Sequence, residues 1–188
     1  MQRKQLLDTI NGSECRFATN ASASAILQDL LSHLLPTQYG FIVMTIASSN
    51  ESFKEVAQNK YGCRVIKCAL QDLERTVYGE VDRSAAEKQS ARDSLTRLLC
   101  RLTDNCTELT NHRYGSRVIR CAIRSKNLSA VRDYIIRRSV LGHVEALYRN
   151  DFSLKVVQLS LKHASPELKD QLMAKIDGAR SSREHSAH

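Results

Sequence analysis

Two twelve-residue segments of this chain are near copies of each other. Asn59 to Leu70 reads NKYGCRVIKCAL, and His112 to Ile123 reads HRYGSRVIRCAI. Tyr61-Gly62 aligns with Tyr114-Gly115, and Val65-Ile66 with Val118-Ile119. A chain that copies itself at this interval builds one supersecondary unit several times, and each unit buries its apolar face against the next.

Two weaker copies share the frame: Asn20 to Leu31 (NASASAILQDLL) and Asn150 to Leu161 (NDFSLKVVQLSL). The aligned residues Ser22, Tyr61, Tyr114 and Phe152 lie 39, 53 and 38 apart. The longer interval contains a polar stretch, Arg75 to Gln89, which reads as an insertion between helices. Phe17, Val56, Leu109 and Leu147 each sit five residues before the aligned position, as a short helix with one packed apolar residue would place them. A further helical pattern opens each unit, at residues 2–11, 36–48, 90–103 and 128–141; in the last, Leu128, Val131, Tyr134 and Ile135 fall at three-to-four spacing.

The expected fold is therefore all-α, with three short helices per unit and none stable alone. The repeats span about 1–35, 36–74, 90–127 and 128–165, with a capping helix at about 166–178, the insertion at 75–89 and a disordered tail at 179–188. Gly62 and Gly115 mark the second junction of their units, where positive φ or close backbone approach favours glycine. Ala23 and Ser153 replace them in the outer copies, and Asn20, Asn59, His112 and Asn150 share a capping-type position. Thr37 to Gly40 imitates the motif but lies too close to Asn20 for a full unit, so it belongs to the next opening helix, with Pro36 near its start.

Composition narrows the partner. The net charge of +8 favours an anion, whether RNA, DNA or an acidic membrane surface. Only two prolines and seven glycines occur, too few turn residues for an all-β chain of this size. The six cysteines form no Cys-x-x-Cys pair and no signal-like stretch opens the chain, so reduced thiols are expected. No run approaches 18 apolar residues, and no membrane span is expected. Cys100, Cys106 and His112 do not match structural zinc spacing, and there is no phosphate-cradling glycine loop or nucleophile motif. No metal, cofactor or enzymatic activity is expected.

The segments NKYGCRVIKCAL and HRYGSRVIRCAI resemble the signature of the Pumilio (PUF) family. The resemblance covers about residues 1–178 as four repeats, where the family's domains usually carry eight. It implies a right-handed solenoid of stacked three-helix repeats that binds single-stranded RNA one base per repeat. In that family the start of the third helix faces the RNA. Two residues four apart touch a base edge, and the residue after the first stacks between bases. Carried over, the edge pairs are Ser24/Gln28, Cys63/Lys67, Ser116/Arg120 and Leu154/Gln158, and the stacking positions are Ala25, Arg64, Arg117 and Lys155. By the family's code Ser with Gln reads adenine and Ser with Arg resembles the cytosine combination. The other two pairs match no defined combination, so the implied site is roughly 5′-N-C-N-A-3′. The resemblance further implies post-transcriptional regulation of mRNA through the 3′ untranslated region, in the cytoplasm and with protein co-regulators. Two alternatives stay open: RNA binding without sequence preference in ribosome biogenesis, in the nucleus or nucleolus, and a helical scaffold for protein partners.

Overall fold

The structure, a computed structural model, describes residues 2–79 and 82–185, and every regular element among them is helical. The chain forms two compact units, residues 1–105 and 106–188.

The first unit holds α1 (Gln2–Ile10), α2 (Glu14–Thr19), α3 (Ala23–His33), α4 (Pro36–Ile46), α5 (Asn50–Ala57), α6 (Gly62–Tyr78) and α7 (Ala85–Asp104). Helices α3 and α6, the third helices of successive repeats, pack side by side, and α7 packs on α4 and α6. Tyr39, Phe53, Ile42, Leu73 and Leu98 are almost fully buried in the resulting core. Each such side chain contributes about 1.5–3 kcal/mol by leaving water. Tyr39 needs a partner for its hydroxyl, which donates to the buried Asp72 Oδ2 at 2.6 Å, while Arg75 closes on the other oxygen. Burial and the bond to Asp72 together hold the Tyr39 phenol far above its ordinary titration range.

The turn after α4 is closed from α7. Arg101 donates from Nε to the Ala47 carbonyl and from a terminal nitrogen to the Ser48 carbonyl, both at 3.1 Å. Asn105 Nδ2 donates to Asn50 Oδ1 at 3.0 Å. Carbonyls left orphaned at a helix end thus find donors on the packed neighbour.

The second unit holds α8 (Cys106–Thr110), α9 (Gly115–Arg124), α10 (Ser129–Ile135, continuing as a π-helical segment Ile136–Leu141), α11 (Val144–Leu147), α12 (Asp151–His163) and α13 (Pro166–His185). Here α9 and α12 are the paired third helices. Val118, Ile119, Val156 and Val157 are buried, as are Leu168, Leu172 and Ile176, four residues apart on one face of α13.

Two expectations need correction. The stretch 75–89 is mostly helix: α6 runs on to Tyr78 and α7 starts at Ala85, where Ser84 and Glu87 form a reciprocal capping box (Glu87 N–H to Ser84 Oγ 3.2 Å, Ser84 N–H to Glu87 Oε2 2.8 Å). Buried Thr76 gives the extension of α6 a packed side. The tail at 179–188 is also helical as far as His185, because no proline or capping glycine stops α13, while 186–188 lie outside the described residues.

Candidate functional site

The start of each third helix is set by one side chain. Asn20 Oδ1 accepts from the Ser22 and Ala23 N–H groups, both at 3.0 Å. Asn59 Oδ1 accepts from Tyr61 and Gly62 at 2.7 and 3.1 Å, and Asn150 Oδ1 from Phe152 at 3.2 Å. In the third repeat His112 takes over, its Nδ1 accepting from Tyr114 and Gly115 at 3.2 Å. An accepting Nδ1 carries no proton, which fixes the neutral tautomer with its hydrogen on Nε2.

The glycines that follow answer to close approach, not to backbone hand. Among the described residues only Gly12 has a positive φ. A Cβ on Gly62 would run into the Val56 carbonyl oxygen and meet its Cγ1 at 2.9 Å. One on Gly115 would meet Leu109 Cδ2 at 2.8 Å and Cα at 3.0 Å. Ser153, at the equivalent position of α12, instead lets its buried hydroxyl donate to the Thr110 carbonyl.

The first unit brings the predicted residues of α3 and α6 together: Cys68 Sγ donates to the Gln28 carbonyl at 3.6 Å, which seats Gln28 beside the turn that carries Lys67. Arg64 is exposed, Lys67 is half-buried, and the Lys60 ammonium lies 5.4 Å from the Tyr61 ring centroid. Gln28 Nε2 bonds the Ser24 carbonyl at 3.0 Å, and Ala25 is exposed.

The second unit brings Arg117, Arg120 and Lys155 to one groove of about 610 Å3. Arg117 lies over the Tyr114 ring at 5.4 Å, and Arg113 over the same ring at 5.7 Å. Arg120 donates from Nε to the Ser116 carbonyl at 3.3 Å. Burial, then Arg124 and Arg117, push its guanidinium below the ordinary value; it remains a cation. Among the described residues Asp151 is the one carboxylate lining the groove, and Phe152 adds an aromatic face. Of the α12 residues, Leu154 is half-buried and Gln158 exposed, and neither lines the groove.

Three predicted edge residues do not face outward. Ser24, Cys63 and Ser116 are 2%, 0% and 0% exposed. Each turns back on the carbonyl three residues earlier, at Ala21, Lys60 and Arg113, a local bond that small hydroxyls and thiols make readily in a first helical turn. Cys68 and Cys121, which align in the second and third repeats, are half-buried. Sequence reading missed Arg113 and Arg149. Arg113 shares its register with Lys60, directly before the aligned aromatic residue, and that repeat was a usable signal. Arg149 has Gln58 and Asn111 as its counterparts and gave none.

Among the described residues no helix is long and apolar enough to cross a membrane, and no three His, Cys, Asp or Glu side chains cluster as metal ligands.

Paired third helices, each started by a side-chain cap, with two guanidinium groups beside the Tyr114 ring of the second unit, define a helical-repeat binding module. The chain belongs to the PUF (Pumilio) repeat family. Residues 12–125 match the family described as the NOP9-like PUF repeat domain, and residues 155–176 match the Pumilio-family RNA binding repeat. Over 155 residues it is 26% identical to Fem-3 mRNA-binding factor 2 of Caenorhabditis elegans, covering 82% of this chain and 24% of the relative. The chain thus spans about a quarter of the length of the curated relatives it matches. Among solved structures, PUF-6 in complex with 5BE13 RNA superposes with a TM-score of 0.79 at 22% identity, covering 92% of this chain and 46% of that one. The RNA-binding domain of yeast Puf5p bound to SMX2 RNA gives 0.67 at 16% identity, covering 93% and 44%. These neighbours establish the fold as the all-α Pumilio-type repeat solenoid.

Proposed function

We propose that the chain binds single-stranded RNA at the starts of its third helices and serves post-transcriptional control of mRNA in the cytoplasm. The observation that carries this is the α9–α12 groove. There a half-buried guanidinium lies on Tyr114, beside Arg120 and Lys155, and the described residues place no salt bridge on any of the three. A planar cation beside an aromatic ring is a surface on which a base stacks, at about 1–3 kcal/mol per base. With Ser24, Cys63 and Ser116 buried, edge reading falls to Gln28, Lys67, Arg120 and Gln158. The family and the fold are those of a binding module and not of an enzyme.

A second reading is RNA binding with little sequence preference in ribosome biogenesis, in the nucleus or nucleolus. It is favoured by the NOP9-like match, which covers residues 12–125. Fluorescence anisotropy on short single-stranded RNAs at two salt concentrations separates the two, with an Arg64→Ala/Arg117→Ala double variant beside the wild type. Base-selective binding that the folded double variant loses supports mRNA reading. Binding equal for all sequences and abolished by modest salt supports the second reading. No binding at all leaves a protein scaffold.

A further inference from the structure

The cations of the α9–α12 groove are held in two different ways. Arg117 and Arg120 are half-buried, one laid on Tyr114 and the other bonded to the Ser116 carbonyl. Arg113 and Arg149 are exposed. Arg113 shares the Tyr114 ring with Arg117, so two like charges are gathered around one aromatic side chain, and the described residues give neither an ion pair. Such a pair repels unless an anion lies between or beside it. Arg149 has another distinction. It lines the groove and also a neighbouring cavity of about 440 Å3, which Lys175 lines as well. A guanidinium common to two adjoining open volumes stands where the link between two successive nucleotides would pass.

We propose that Arg113 and Arg149 hold the phosphodiester groups flanking the nucleotide whose base enters the groove, while Arg117, Arg120 and Lys155 face the base. This rests on the reading of the groove as a single-stranded RNA site. The guanidinium fork matches a phosphate in geometry and in charge. Contacts of this kind fix where the strand lies and carry no base information. The anchor is therefore indifferent to sequence, and any discrimination comes from the inner cations.

The test is the salt dependence of binding to fluorescein-labelled U12, A12 and C12 RNA for wild type, Arg113→Gln/Arg149→Gln and Arg117→Lys. Neutralising one single-strand phosphate contributes about 0.7 to the slope of log K against log salt. The double variant is expected to lose about 1.4 of that slope and to weaken on all three RNAs by the same factor. Arg117→Lys keeps the charge but not the plane, so it should change the ratios among the RNAs and leave the slope alone. A wild-type slope in the double variant, or a loss confined to one RNA, overturns the phosphate assignment while RNA binding stands. Wild-type protein that binds none of the three overturns both.

Discussion

The two units share one repeat design and differ sharply in charge. Residues 1–105 carry 13 lysines and arginines against 12 acidic residues, a net of +1. Residues 106–188 carry 15 against 8, a net of +7. In the first unit two of these cations have internal tasks: Arg101 caps the carbonyls after α4, and Arg75 closes on Asp72. In the second unit Arg113, Arg117, Arg120 and Arg149 gather on one groove. The far ends of its helices continue the trend, since burial and then Lys162, Arg132 and Arg124 hold His163 below its ordinary value. The repeat therefore needs its cap, its close approach and its apolar face, whereas surface charge is free to vary. On this account attraction for a polyanion is concentrated in the second unit.

The sharpest structural contrast lies at the glycines. Gly62→Ala should cost about 3 kcal/mol, because its Cβ meets the rigid Val56 carbonyl. Gly115→Ala should cost about 1 kcal/mol, because its nearest neighbour is the movable end of Leu109. Urea denaturation of both variants checks the order, and a larger loss at Gly115 would break the comparison.

The polar core of the first unit comes next. Tyr39→Phe should cost about 2 kcal/mol by leaving a buried Asp72 oxygen without its donor. The folded phenol titrates above its unfolded value of about 10, so its contribution is complete below pH 10 and is lost as pH rises beyond it. The stability gap between wild type and Tyr39→Phe should stay constant from pH 7 to 10 and narrow above that. A gap that widens in alkali contradicts the buried bond.

The smallest effect compares the caps. His112→Ala and Asn59→Ala should each lose about 1 kcal/mol, and His112→Asn should retain most of the stability. Thermal unfolding of the three variants is enough. Equal losses for His112→Ala and His112→Asn would mean that the ring packs there and does not cap.

Much of this was legible in the sequence. The frame set by Asn20, Asn59, His112 and Asn150 located the start of every third helix, because a cap is a local interaction. The apolar pairs Val65-Ile66 and Val118-Ile119 marked the buried side, because burial follows helical period. The extensions of α6 and α7 were hidden by a polar composition, although Ser84 and Glu87 spelled the capping box. The π-helical segment Ile136–Leu141 left no trace, since periodicity does not register a single widened turn. The inward turn of Ser24, Cys63 and Ser116 depends on a local side-chain bond that competes with any outside ligand. Arg149 became visible only when the fold set it beside Lys155.

The most direct test of the central claim is a map of amide chemical-shift changes as the chain is titrated with short single-stranded RNA. The account predicts the largest changes at residues 113–120 and 149–155, weaker ones around Arg64 and Lys67, and little on the face of α13. Changes confined to α1 and α13, or none at saturating RNA, would contradict it.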